Sequence, residues 1–126
     1  MKIFLSIKYY DDMRNKNLIE KIYNIINLKG NEVFVFAKNI QNYGECTMTP
    51  REVMEKAFSE IDSSDILLAE ASNLSIGVGI EVGYAYSKKI PVYLIASKKS
   101  FVSNSIKGIS SKSLFYEKID EISNLF

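Results

Sequence analysis

Short apolar runs recur along the chain, each parted from the next by a stretch too long for a hairpin, and this alternation decides what the chain can fold into. The runs are Lys2–Ser6, Glu32–Phe36, Ile66–Ala69 and Pro91–Ala96, with Ser113–Tyr116 as a shorter edge candidate. They are apolar throughout rather than at every second position, the pattern of strands covered on both faces in a parallel sheet.

The intervening stretches read as helices. Asp11–Leu28 places Leu18, Ile19, Ile22, Ile25 and Ile26 on one stripe, with acids at its start and Lys29-Gly30 closing it. Thr49-Pro50-Arg51-Glu52 is a capping box with proline at the first helical position. It opens a helix to about Ser63 with Val53, Met54, Ala57, Phe58 and Ile61 inward. Glu117–Phe126 closes the chain as a helix that buries Ile119, Ile122 and Leu125. Strand and helix in alternation give an α/β fold: a doubly wound, flavodoxin-like or Rossmann-like parallel sheet of about five strands with right-handed crossovers. At 126 residues, 47% of them hydrophobic, the chain is expected to be a single domain with its own core over residues 1–126.

Composition removes several function classes. A net charge of +1 offers no basic field for a nucleic acid polymer or an anionic membrane, so the expected ligand is small. The lone Cys46 excludes an internal disulfide, and the chain has no histidine, the commonest metal ligand and general base. Chemistry must run on carboxylates, hydroxyls and lysines, with neither metal nor cofactor. The apolar run in MKIFLSIKYY is too short for a signal peptide and no stretch spans a bilayer, so a cytoplasmic protein is expected.

The central unit is Asp65–Tyr86, a strand, a turn at Ser72-Asn73-Leu74-Ser75, and a helix whose Gly77, Gly79, Gly83 and Ala85 are expected to let it lie close on the sheet. From Ile66 to Tyr86 the only acids are Glu70 and Glu81. Glu81 falls in the first turns of the helix, at the carboxyl edge of the sheet where open α/β folds bind ligands. On pattern alone it is either a working carboxylate or a merely packed one. Gly77-Val78-Gly79 is not a dinucleotide fingerprint, because Gly83 comes one residue late and the strand is the third. With strand order 2-1-3-4-5, the loops after strands one and three share a crevice. Ser6-Ile7-Lys8 follows the first and Asn73–Glu81 the third, so Ser6, Lys8 and Ser75, with amides at the start of the Gly77 helix, make a candidate phosphate pocket. Ala37–Met48 is long enough to be a lid, where Tyr43 either stacks on a ring or packs on its own loop. SIKYYDD is not the hydroxyl-rich loop of a flavodoxin. A receiver domain fails too, since Asp65 begins its strand rather than ending it.

At these residues the chain resembles the nucleoside 2-deoxyribosyltransferase superfamily, and within it the 2′-deoxynucleoside 5′-monophosphate N-hydrolases. Their G-S-I-R strand end stands here as Leu5-Ser6-Ile7-Lys8, their D-V-V-V-A-E strand as Asp65–Glu70, and their S-L-G-V-G-x-E-L-G motif as Ser75–Gly83. A weaker S-x-x-I-R-G match stands as Ser103–Gly108. The resemblance implies that Glu81 attacks the anomeric carbon, forming a glycosyl-enzyme ester that water or another base opens, as the carboxylate of a retaining glycosidase does. It implies that Ser6, Lys8 (in place of the family's arginine) and Ser75 hold the 5′-phosphate, that Ile7, Gly77 and Gly79 also bind the substrate, and that Ser103 comes from a neighbouring subunit of a homodimer. The substrate is then a nucleotide, and the product a free base with a sugar 5-phosphate.

The chain departs from the family at Ala57, where an aspartate orients the sugar or helps protonate the leaving base, assistance worth about 10²- to 10⁴-fold. Of the acids on that helix, Glu55 is turned away and Glu60 is left as the substitute. Two rivals to the hydrolase stand beside it: a transferase exchanging bases, and a nucleotide-binding or sensing module without turnover, which Ala57 favours and Glu81 disfavours.

Overall fold

The computed structural model describes residues 1–73 and 75–126; Leu74, in the expected turn after the third strand, lies outside the described residues. Strands β1 (Lys2–Ile7), β2 (Glu32–Phe34), β3 (Ile66–Glu70), β4 (Val92–Ser97) and β5 (Lys112–Tyr116) form one sheet in the order β2-β1-β3-β4-β5. Every neighbouring pair is parallel. Helices α1 (Lys16–Leu28), α2 (Phe36–Asn39), α3 (Pro50–Asp62), α4 (Ile76–Ser87) and α5 (Asn104–Ile109) connect the strands, and a 3₁₀ helix (Ile119–Leu125) follows β5. This is the doubly wound α/β architecture, in the expected strand order.

The period of two along each strand sorts side chains between two faces. Ile3 and Leu5 of β1 and Ile66 and Leu68 of β3 pack with Ile19, Ile22 and Ile26 of α1 and with Ile122. Phe4, Leu67 and Ala69 pack on the other face with Ala57 and Ile61 of α3 and Val78, Val82 and Ala85 of α4. The same parity sends Ser6 toward α4 and Glu70 toward the α1 face, so the two acids of the central unit serve opposite sides of the sheet. On the α4 side, Phe58 of α3 stacks on Tyr84 of α4 with ring centroids 4.1 Å apart.

Several local expectations change. Helix α1 begins at Lys16, not Asp11, because Asp12 accepts hydrogen bonds from the Arg14 amide and guanidinium while Met13 takes a left-handed backbone, φ 52°. Asn15, at the cap position, spends its side-chain amide on the Lys8 carbonyl at 2.9 Å. The C-terminal end is as expected: Gly30 has φ 82°, and the Gly30 and Asn31 amides donate to Asn27 and Ile26 carbonyls, closing the helix in a Schellman motif. Strand β2 stops at Phe34, since the Val35 amide is taken by Asn39 Oδ1 at 2.8 Å and the chain turns into α2. The closing helix is 3₁₀ rather than α. Its inward residues Ile119, Ile122 and Leu125 recur every third position, which lines them up at three residues per turn.

The glycines of α4 do not bring it to the sheet. A Cβ at Gly79 or Gly83 would meet nothing within 4 Å, and one at Gly77 only the Ser75 hydroxyl at 3.8 Å. Buried Ala85 is the small residue that faces the strands, and the glycines lie outward beside exposed Ile76 and Ile80.

Candidate active site

A cavity of about 290 Å³ opens beside the carboxyl end of β1. Phe4, Leu5, Ile7, Lys8 and Tyr9 line it from β1 and the connection to α1. Val35, Phe36, Ala37, Gln41 and Cys46 contribute from the β2–α3 connection, Val53 and Ala57 from α3, and Glu81 from α4. Helix α3 presents its two residues because the capping box holds: Thr49 accepts from the Glu52 amide and the Glu52 carboxylate accepts from the Thr49 amide.

Glu81 is the acid of this mostly apolar chamber. Its Oε1 accepts a 2.6 Å hydrogen bond from the Ser6 hydroxyl. Burial pushes its carboxyl up to about 7, and the Ser6 hydrogen bond pulls the other way without overcoming it. Among the described residues no cation lies within ion-pair distance of Glu81. A buried acid with a raised pKa in a cleft, and no salt bridge among the described residues to account for its burial, is a candidate functional group.

The other residues singled out from the sequence fall into two groups. Ile7 and Lys8 share the cavity with Glu81, and the Lys8 ammonium sits 5.0 Å above the Tyr10 ring. Ser75, Gly79 and Ser103 line a second cavity of about 200 Å³ between α4 and α5, together with Asn73 and Ser105. Gly77 is exposed in the first turn of α4. Ser75 caps α4 by accepting from the Val78 amide at 3.3 Å, and Ser103 caps α5 by accepting from the Ser105 amide at 3.2 Å. Within one chain, then, Ser6, Lys8 and Glu81 gather on one flank of α4 and Ser75 with Ser103 on the other.

Two expectations about supporting residues change. Ala57 does face the cavity, but Glu60 cannot stand in for an acid there. It is ion-paired to Lys2 at 2.6 Å and Lys56 at 2.8 Å, beside the amino end of β1 and so at the opposite edge of the sheet from Glu81. Tyr43 does not stack in the cavity. Its hydroxyl donates to Glu20 Oε1 at 2.9 Å, and Lys16 and Lys38 sit over its ring. Phe36, Gln41 and Cys46 of the same connection line the cavity instead, a choice that periodicity does not disclose because the segment has none. Glu70 is buried on the far face, accepting from the Ser72 amide and hydroxyl and from Tyr116, and burial raises its carboxyl. It ties the loop after β3 to β4, since Ser72 Oγ accepts from the Ser97 amide at 2.8 Å.

No protein-family model matches the chain. A protein of Thermofilum pendens named "Putative 2'-deoxynucleoside 5'-phosphate N-hydrolase 1" is 30% identical over 128 residues, spanning 96% of this chain and 89% of the relative. Among solved structures, a CMP N-glycosidase of Clostridium botulinum superposes with a TM-score of 0.75 at 22% identity, covering 99% of this chain and 96% of the other. A 2-deoxyribosyltransferase of Bacillus psychrosaccharolyticus gives a TM-score of 0.79 at 19% identity, covering 98% and 91%. At those identities the two structures speak for the fold, whereas the sequence relative, matched over nearly its whole length, speaks for descent. With a carboxylate at the mouth of β1 in the same α/β frame, the chain belongs to the 2′-deoxynucleoside 5′-phosphate N-hydrolases of the nucleoside 2-deoxyribosyltransferase superfamily.

Proposed function

We propose that the protein cleaves the N-glycosidic bond of a nucleoside 5′-monophosphate, releasing a free base and a sugar 5-phosphate, with Glu81 as nucleophile. The observation that carries this reading is a carboxylate with a serine partner and, among the described residues, no cation within ion-pair distance, held in a largely apolar chamber at the carboxyl edge of the sheet. A Glu81 oxygen attacks C1′, the carbon–nitrogen bond breaks, and its electron pair leaves with the base, which takes up a proton. Water then opens the glycosyl ester and restores the carboxylate. Splitting one displacement into two through a covalent intermediate lowers each barrier. Lys8 is the cation available to the 5′-phosphate from the β1 side.

The reading includes a homodimer in which Ser103 of the partner subunit reaches the site. Support comes from the outer side of α4, where Ile76 is 85% and Ile80 46% exposed beside glycines that crowd nothing in their own chain. Ser75 and the exposed Gly77 and Gly79 then serve the phosphate from the start of α4.

One observation favours a second reading. Ala57 places a methyl group in the cavity where the family resemblance calls for an aspartate, which suits a module that binds nucleotides without turning them over. The test is incubation with a panel of ribo- and deoxyribonucleoside monophosphates, with chromatography for free base. Release by the wild type and none by Glu81→Ala supports hydrolysis. Release only when a second free base is added supports transfer, and nucleotide binding without any release supports the binding module.

A further inference from the structure

Glu81 meets the chamber as a carboxyl with neither a counter-charge nor a second carboxyl beside it. No cation among the described residues lies within ion-pair distance of it. The walls that can meet a ring are aromatic or aliphatic: Phe36 from the β2–α3 connection, Tyr9 from the β1–α1 connection, and Val53 and Ala57 from α3. A carboxylate in such company is costly unless something positive comes to it. Lys8, the one cation among the described lining residues, is the group available to the phosphate.

Departure of a neutral base makes a second demand. When the C1′–N bond breaks, its electron pair leaves on the ring nitrogen, and a neutral base is then an anion until an acid gives it a proton. Glu81 cannot be nucleophile and acid in the same step. The other described lining groups with a proton to give are Lys8, Tyr9 and Cys46, an ammonium, a phenol and a thiol, all weaker acids by class than a carboxyl. Ala57 has none.

We propose that the chamber takes nucleoside 5′-monophosphates whose base already carries a positive charge, as an N-linked pyridinium or an N-alkylated base does. The proposal names the substrate class of the hydrolase reading and rests on it. The ring cation faces Glu81 and the aromatic walls while the phosphate faces Lys8, so the two charges of the substrate mirror those of the site. A Glu81 oxygen bonds to C1′, the C1′–N bond breaks, and its electron pair cancels the positive charge of the ring. The base leaves neutral and takes up no proton. Water then opens the ester, its hydroxyl passing to C1′ and its proton to solvent, which restores the carboxylate. A cation in the chamber also holds ionised a carboxyl that burial raises to about 7.

The first measurement is calorimetry at pH 7.5 with ring cations that carry a methyl group in place of the sugar and so cannot be hydrolysed. 1-Methylnicotinamide and 1,9-dimethyladeninium are compared with nicotinamide and 9-methyladenine on the wild type and on Glu81→Gln. At least one cation should bind the wild type about tenfold more tightly than its neutral counterpart, and Glu81→Gln should lose that preference. The cation preferred separates a pyridinium from an alkylated base. The second measurement is base release from nicotinamide mononucleotide and 1-methyladenosine 5′-monophosphate against adenosine and cytidine 5′-monophosphates, in ribo and 2′-deoxy forms. Each rate is divided by that of its uncatalysed hydrolysis, which discounts the greater lability of the cations. The favoured cationic nucleotide should be accelerated about 10²-fold more than the neutral ones, the low end of what general acid assistance is worth. Equal affinity for cation and neutral ring in the wild type, a preference that survives in Glu81→Gln, or equal acceleration of charged and neutral nucleotides overturns the proposal. If the wild type frees base from no nucleotide at all, the hydrolase reading falls, and the binding comparison still decides whether the chamber takes a cation.

Discussion

Glu81 costs the fold something, and the cost is measurable. Its carboxyl, raised from an ordinary 4.5 to about 7 by burial, binds a proton more tightly in the native state than in the unfolded chain. Native stability therefore falls as pH rises from about 4.5 to 7 and stays lower above that range. Glu81→Gln keeps the Ser6 hydrogen bond and removes the charge, so it should stabilise the protein by on the order of 2 kcal/mol at pH 8. The gain should vanish near pH 4.5, as differential scanning calorimetry at several pH values will show. If Glu81 is the nucleophile, as proposed, the same titration will give base release an acid limb near pH 7. At this scale the sequence was partly legible. Of the two acids from Ile66 to Tyr86, Glu81 stood out in the glycine-rich helix because burying a charge needs a reason, although pattern alone did not separate a working carboxylate from a packed one. The direction of the Ser6 hydroxyl was hidden, since it depends on the register that pairs Ser6 with Ala69 and on how α4 lies over that face. Ser75 was legible as a hydroxyl just before a helix, whereas the short helix that Ser103 caps was not foreseen, and their shared cavity on the other flank of α4 depends on where that helix docks.

The walls of the cavity are set by elements whose ends do different kinds of work. Thr49→Ala removes the reciprocal cap at the start of α3 and should cost about 1 kcal/mol in urea denaturation, with Ala57 and Val53 still in place in the folded fraction. The β2–α3 connection is held from outside the site. Lys38 and Tyr43 both reach Glu20 of α1 at 2.9 Å, across a backbone whose Asn42 and Tyr43 are left-handed, φ 47° and 61°. Glu20→Ala should free that segment. The ion pair is about a third exposed and worth about 1 kcal/mol, so amide exchange across residues 36–48 should quicken several-fold while α3 keeps its protection. Strand runs and the capping box could be read from the chain because they are local. The start of α1 could not, since Asp11-Asp12 imitates an acidic first turn while Arg14 and the left-handed Met13 end that possibility. The closing helix was placed correctly but its winding was not. Ile119, Ile122 and Leu125 fit both a loose α-helical stripe and a strict third-residue repeat, and only packing against the α1 face selects the latter.

At the scale of the whole molecule, the order β2-β1-β3-β4-β5 brings the loops after β1 and β3 to one edge; the alternation of strand and helix gave the parallel winding, whereas the order was taken as the common one for such sheets. What a single chain's sequence could not supply was how the two flanks of α4 divide the site residues. If the homodimer completes each site with Ser103 of the partner subunit, mixing inactive Glu81→Ala with impaired Ser103→Ala chains will restore activity. Each mixed dimer then carries one site with both residues intact, whereas a serine acting within its own chain gives no rescue. The most direct test of the central claim is free-base release from the nucleoside monophosphate panel by wild type and Glu81→Ala. The account predicts release of base from at least one nucleotide by the wild type, with an acid limb near pH 7, and none by the variant. Equal release by both proteins, or nucleotide bound by the wild type with no base freed from any of them, would contradict it.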